Sequence, residues 1–128
     1  MDITATSRYI RISPRKMQLL IRSVSALPPK EAVTLLSFMH KSGAAPLKAV
    51  IESALANATS KNAANTQALV FKHINVLPGS AMKRFRPVSR GMAHTYKKRM
   101  SHVKVVLAIK ENTAKKVPVV EEKTKQLS

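Results

Sequence analysis

The strongest constraint on how this chain can fold is a long stretch, residues 53–110, that contains no Asp or Glu. The same stretch carries 11 Lys and Arg residues. Because these cations have no carboxylate within their own segment, they repel one another in a free chain and add no stability. Surfaces that serve only solubility usually mix charges of both signs. The stretch therefore predicts a surface that is completed by a polyanionic partner.

The composition of the whole chain agrees with this interpretation, since its formal net charge is +17 over 128 residues. This length predicts a single domain, which we place at residues 1–110. The four His and six carboxylates are scattered, with no Gly-rich phosphate loop or metal-spaced cluster. The absence of Cys excludes disulfides, thiolate metal sites and Cys nucleophiles. We therefore expect no cofactor, no bound metal and no enzymatic activity.

The chain has no sequence feature that indicates a membrane. No apolar run approaches the roughly 18 residues that span a bilayer. Residues 1–4 have neither the charged nor the apolar region of a secretory signal. The basic segments also lack the sustained apolar face of a membrane-surface helix. We expect a cytoplasmic protein without a membrane partner.

Hydrophobic periodicity predicts a strand and then three helices in the first half of the chain. The strand covers residues 3–12, and Pro14 is a typical first residue for the helix that follows. Pro29 starts a second helix, for which Gly43 is the predicted C-terminal stop. The third helix begins near Pro46 and has the clearest apolar face.

The second half of the chain predicts a β-hairpin. Residues 69–77 are rich in β-forming side chains, and residues 103–109 alternate between apolar and polar. The segment between them, residues 78–101, is basic and poor in aliphatic side chains. If it folds back near Gly91, it forms an arm that reaches roughly 40 Å. Because isolated two-stranded hairpins are marginal in water, we expect this arm to need a partner to become ordered.

Two groups of basic residues are the candidate binding residues. Arg guanidinium groups can fork onto phosphates or stack on bases, and a Phe ring adds a stacking face. In the second group, two cations fall in the first turn of a helix, where the macrodipole favours anions, which suggests a bound phosphate. For the first group, the alternative is a mobile loop whose cations only add solubility. For the second group, the alternative is chance placement. The first group is Lys83, Arg84, Phe85, Arg86, Lys97, Lys98 and Arg99, and the second is Arg8, Arg11, Arg15, Lys16 and Arg22.

The end of the predicted arm and one histidine complete the candidates. A turn at Gly91 would bring the neighbouring side chains to the extreme end of the arm. His102 begins a predicted strand, and a lone His is more often a hydrogen-bonding structural residue than a ligand. The residues at the tip are Arg90, Gly91, Met92, Ala93 and His94.

Four segments, in order and spacing, resemble the large-subunit ribosomal proteins numbered twenty-two in bacterial nomenclature. They are YIRISPRK at residues 9–16, SALANA at 53–58, KRFRP at 83–87 and SHVKVV at 101–106. The resemblance covers roughly residues 5 to 110. One such segment is a weak signal, but four in register are very specific.

The resemblance implies an α+β fold, with three helices packed on a small antiparallel sheet and a long extended β-hairpin arm. It also implies a structural protein that binds large-subunit ribosomal RNA early in assembly, beside neighbouring ribosomal proteins. In that family the arm runs inward through the RNA, and its tip lines the peptide exit tunnel. The tip residues given above would then meet nascent polypeptides and macrolide-type drugs.

The chain departs from this family at a few positions. The family often has a further basic residue where Met92 stands, and a Thr where Met100 stands. Residues 111–128 extend beyond the resemblance, lack periodicity, and are predicted to form a solvated, disordered tail.

A DNA-bending protein with basic β-arms is the competing function. It would share the charge and the helices, and Pro87 could wedge between base pairs. Such proteins prefer duplex DNA and usually dimerise. We expect RNA and not DNA as the partner.

Overall fold

The computed structural model describes residues 2–61 and 69–109. Within them the chain forms three helices and a three-stranded antiparallel sheet, which confirms the predicted α+β class. The predicted tail at residues 111–128 lies outside the described residues. The elements are β1 (Asp2–Ile10), α1 (Pro14–Val24), α2 (Pro29–Phe38), α3 (Ala44–Ser60), β2 (Leu69–Pro87) and β3 (Ala93–Ile109).

The first helix forms where the sequence predicts it. Ser13 has extended backbone dihedrals, and its carbonyl accepts the first helical hydrogen bond, from the amide of Met17 at 3.2 Å. Pro14 then supplies a preset φ at a position whose amide would be unpaired in any case. The buried side chains of α1 recur at helical spacing and form its core-facing stripe. They are Met17, Leu20, Ile21 and Val24.

The predicted role of Gly43 is wrong. The second helix ends at Phe38, and Gly43 instead directly precedes α3 with a φ of −80°. That dihedral is open to any residue, so the reason for glycine is space. A Cβ at this position would clash with Cδ1 of Leu20 on α1. Gly43 therefore lets the connection between α2 and α3 lie directly against α1.

The strand β3 lies at the centre of the sheet, in the order β1-β3-β2, and pairs antiparallel with both neighbours. Its alternating residues Val103, Val105 and Leu107 are fully buried, because one face of the sheet is covered by the helices. They share one hydrophobic cluster with Ile3 of β1 and Ile51 of α3. The core therefore joins elements from both halves of the chain.

Between Ser101 and the hairpin turn, the sheet has only two strands, β2 and β3. The pairing of β1 with β3 ends at Ile10 opposite Ser101, whereas β2 and β3 stay paired to Pro87 opposite Ala93. This confirms the predicted hairpin. We refer to residues 81–99, which form its two-stranded part and its turn, as the arm.

Two register shifts flank the root of the arm. One lies in β1 between Ser7 and Ile10, and the other lies in β2 between Pro78 and Ala81. In each, two residues of the outer strand oppose one residue of β3, which is the count of a β-bulge. Bulges bend and twist a strand locally. They therefore set the direction in which the arm leaves the sheet.

Candidate nucleic-acid interface

One face of the arm carries lysines directly opposite each other. Lys83 pairs in register with Lys97, and Arg99 follows two residues later on the same face. Phe85 is also on this face, opposite Thr95, and its ring is largely exposed. Like charges in directly opposite positions destabilise a strand pair. This face therefore gains stability when an anion lies across it.

The other face carries arginines and an aromatic ring. Arg84 lies opposite Tyr96, and Arg86 lies opposite His94. The guanidinium carbon of Arg86 is 5.8 Å from the centre of the Tyr96 ring, which is cation–π geometry. Arg84 donates a 3.0 Å hydrogen bond to the backbone carbonyl of Lys83. These contacts hold both guanidinium groups against the arm.

The charge of the arm is not neutralised within the described part of the chain. The ion pairs found there are Lys48 with Glu52 at 3.7 Å and Lys72 with Asp2 at 2.7 Å. All four residues lie outside the arm, in the part of the fold that we call the head (residues 2–61, 69–80 and 100–109). The hydrogen bond from Lys72 lowers the pKa of Asp2. Every residue from 83 to 99 is exposed. The arm therefore offers cations on both faces to a partner.

The tip of the arm is a tight turn, as predicted. Arg90 and Gly91 have φ values of 62° and 68°, and the amide of Val88 donates to the carbonyl of Met92 at 2.8 Å. Nothing lies within 4 Å of a Cβ built on Gly91, so the positive φ is what favours glycine there. The side chain of Met92 is 62% exposed. All five predicted tip residues, Arg90, Gly91, Met92, Ala93 and His94, are exposed.

A cleft between α1 and the arm brings some members of the two predicted basic groups together. It has a volume of about 270 Å³. Its cations come from the residue that follows β1, from the first turn of α1 and from β3, and the first turn of α1 has no acidic residue. We call it the basic cleft, and its lining residues are Arg11, Ile12, Ser13, Lys16, Ser42, Tyr96, Lys97, Lys98 and Arg99.

Three of the predicted head cations lie outside the basic cleft. Arg8 and Arg15 are exposed but do not line it. Arg22 instead lines a separate groove between α1 and β2, beside Ile74 and Leu77. The sequence grouped these residues by proximity along the chain, whereas the fold places only Arg11 and Lys16 in the basic cleft and Arg22 in the other groove.

His102 is a structural residue, as predicted. Its Nδ1 accepts a hydrogen bond from the amide of Tyr9 at 2.9 Å, and the two rings meet edge to face at 4.8 Å. Tyr9 has a φ of 56° within the bulge of β1, a left-handed conformation that is costly for this residue type. On the other side, a Cβ at Gly79 would lie 3.2 Å from Cε1 of His102. His102 therefore joins both bulges at the root of the arm.

We expect His102→Phe to lower the free energy of unfolding by about 1 kcal/mol, because the ring contact stays while the acceptor for the Tyr9 amide is lost. Urea unfolding of the free protein measures this. The control is His40→Phe, at an exposed residue outside the helices and strands. Equal stability of the two variants would contradict a structural role for the hydrogen bond.

Asn57 is a further residue whose role the sequence did not indicate. Its side-chain amide donates to the backbone carbonyl of Thr4 at 3.1 Å. This bond ties α3 to the edge strand β1. Asn57 lies within one of the four segments that resemble the ribosomal family, and this position was the available signal. The sequence could not show its bonding partner, because Thr4 is 53 residues away in the chain.

Residues 2–61 and 69–109 contain no group of three or more His, Cys, Asp or Glu side chains placed to hold a metal ion. None of the helices described there is long and apolar enough to cross a membrane.

Residues 5–108 match the family profile described as Ribosomal protein L22p/L17e. The chain belongs to this family. Among curated relatives, large ribosomal subunit protein uL22 of Desulfotalea psychrophila is 45% identical over 107 residues, which cover 84% of this chain and 97% of that protein. The same-named protein of Nitratidesulfovibrio vulgaris strain DP4 is 41% identical over 108 residues, or 84% and 96% of the two chains. That of Caldicellulosiruptor saccharolyticus is 39% identical, with coverage of 84% and 88%.

Membership in the L22p/L17e family confirms several predictions. The chain is a structural, non-enzymatic constituent of the large ribosomal subunit and acts in translation. Its location is the ribosome, in the cytoplasm. The three helices, the antiparallel sheet and the hairpin described above agree with the fold that the resemblance implied.

Proposed function

We propose that this chain binds large-subunit ribosomal RNA through the arm and the basic cleft. The observation that carries the proposal is the arm itself, which has cations on both faces and no carboxylate within its own sequence. A single flat anionic surface could use only one of these faces. RNA segments on both sides of the arm would use them all.

The contacts that this arrangement favours are with phosphates and sugars. Lys and Arg that neutralise phosphates release condensed counterions, which supplies much of the binding free energy. Duplex RNA is recognised mainly by shape, because its deep major groove is closed to side chains. An arm that orders between RNA segments would hold them together, and this is how the chain would support assembly of the subunit.

We further propose that the tip of the arm lines the peptide exit tunnel and meets the nascent polypeptide. The support is the resemblance of the hairpin to the family, together with the exposed turn at Arg90 and Gly91. Met92 gives this tip an uncharged, flexible side chain between Arg90 and His94. The wall that it would form is therefore less cationic than one with a basic residue at that position.

Residues 1–110 would act as one RNA-binding domain. Ile3 near the start and Leu107 near the end belong to the same hydrophobic cluster. The basic cleft likewise combines Arg11 with Lys97. Surfaces of the head that face away from RNA would remain for neighbouring ribosomal proteins.

The test is a competition between large-subunit ribosomal RNA and duplex DNA for the full chain at physiological salt. We expect RNA to win by at least about tenfold, because bases and 2′-hydroxyls of a folded RNA add contacts that a uniform duplex lacks. An acidic polymer without bases, such as heparin, controls for charge alone. Equal affinity for RNA, DNA and heparin would contradict the proposal.

A further inference from the structure

An apolar pocket adjoins the basic cleft. It has a volume of about 280 Å³, and Ile12, Lys16 and Ser42 line both the pocket and the cleft. Its apolar wall is formed by Ile12, Leu19 and Leu20. Gly43 lines it too, and its close approach to Leu20 brings the connection between α2 and α3 against α1.

Leu19 is the unusual residue of this pocket. Its neighbours Met17 and Leu20 are 0% and 4% exposed, whereas Leu19 is 59% exposed although it is a large apolar side chain. Leu19 is therefore mostly outside the hydrophobic core of the head, and it lies beside a strongly cationic cleft. It would lose contact with water if a ligand with an apolar part entered the pocket.

We propose that this apolar pocket receives the base of an unpaired RNA nucleotide whose flanking phosphates lie in the basic cleft. The inference rests on the proposed RNA binding and deepens it. It assigns recognition of one extruded nucleotide to the head, in addition to the phosphate contacts of the arm.

Charge complementarity decides between occupants. The basic cleft presents five cations, and the pocket itself adds Lys41 beside the shared Lys16. The occupant must therefore combine a compact, apolar part that fills the pocket with a negatively charged group close enough to reach the adjoining basic cleft. A nucleotide has this arrangement, because its base has two apolar faces and its phosphates flank the sugar. An apolar side chain of a neighbouring protein would fill the pocket but leave the adjoining cations unpaired.

The size and lining of the pocket suit a base. A volume near 280 Å³ is large enough for one planar heterocycle. The Ser42 hydroxyl and the two ammonium groups can donate hydrogen bonds to acceptors on the base edge. Sequence-specific RNA recognition uses unpaired bases that are splayed away from the helix.

Photo-cross-linking in the assembled large subunit tests this inference. The full chain carries p-benzoylphenylalanine in place of Leu19, and a second version carries it in place of Phe85 on the arm. We expect position 19 to cross-link to an unpaired nucleotide of the ribosomal RNA. Cross-links from position 19 only to another protein, only to paired nucleotides, or to nothing would overturn the inference.

The arm position keeps the two proposals separate. RNA cross-links from position 85 are required by the proposed function, whatever position 19 gives. If position 85 links to RNA and position 19 does not, the nucleotide pocket is wrong while RNA binding by the arm stands. If position 85 fails to reach RNA, the proposed function itself is contradicted.

Affinity for large-subunit ribosomal RNA gives a second readout. We expect Leu19→Ser to weaken binding about tenfold, because the apolar contact with the base is lost. The salt dependence should stay unchanged, since no charge is removed. Phe38→Ser is the matched control, because Phe38 is 75% exposed and does not line the pocket. An equal loss in both variants, or a loss in neither, would count against the pocket.

Discussion

Replacing Lys83, Arg84 and Arg86 together with Ala is expected to lower the salt dependence of RNA binding by up to about 3 units in the slope of log affinity against log salt. Each cation that neutralises a phosphate releases close to one counterion, so each lost contact removes about one unit. None of the three has a carboxylate partner among the described residues, so their removal leaves no buried or paired charge behind. The measurement is the RNA affinity of the full chain over a series of salt concentrations.

The two faces of the arm can be tested separately. Lys83 and Lys97 share one face, and Arg84 and Arg86 share the other. If RNA lies on both sides of the arm, each double Ala variant lowers the slope by about 2 units. If the arm lies on the surface of the RNA, only one of the two variants changes the slope.

The matched control removes three cations from the head, Lys30, Lys48 and Lys72. Two of them already pair with Glu52 and Asp2. The control therefore loses the same number of positive charges as the triple arm variant while the arm stays intact. We expect its slope to change by less than about 1 unit. A change equal to that of the arm variant would mean that only net charge matters.

The elements that the sequence predicted correctly are those with a local pattern. The apolar stripe from Met17 to Val24 has helical spacing, and Val103 to Leu107 alternates, so each predicts its own buried face. The hairpin followed from two strands on either side of a basic segment with Gly91 near its middle. Each signal lies within one element and depends little on the rest of the fold.

The features that the sequence did not predict depend on distant parts of the chain. Gly43 looked like a helix stop because glycine favours that role, but its real constraint is the Leu20 side chain across the fold. The basic cleft joins Lys16 to Lys98, which are brought together only by the packing of α1 against β3. No periodicity within a single element carries that information.

The sequence also did not predict the pairing register of the two strands of the arm. Tyr96 lies opposite Arg84 and below Arg86 because the bulge at residues 79 and 80 shifts the pairing of everything beyond it. A hairpin without that bulge would place each side chain of one strand beside a different partner. The sequence alone therefore identified the cations of the arm but not the face on which each one lies.

Within residues 1–110 of the free protein, we expect trypsin to cut first in the arm, between Met82 and Arg99. The residues from 83 to 99 are all exposed, and a two-stranded hairpin in water is only marginally stable. Segments of this kind open locally at little free-energy cost, and cleavage follows the population of the open form. Mass spectrometry of the early fragments locates the first cuts. Cuts that appear first in α1 or α3 would show that the arm is more stable than its two strands suggest.

Bound RNA should suppress these cuts, because it binds the closed arm and depletes the open form. With RNA at 100 times its dissociation constant, the open population and the cleavage rate fall about 100-fold. The triple variant with Ala in place of Lys83, Arg84 and Arg86 keeps other trypsin sites at Arg90 and Lys97, so it serves as the control in the same assay. Because it binds RNA more weakly, protection at those sites should weaken at the same RNA concentration. If free and bound protein were cut in the arm at equal rates, the arm would lie outside the RNA, and its charge would have to serve another partner.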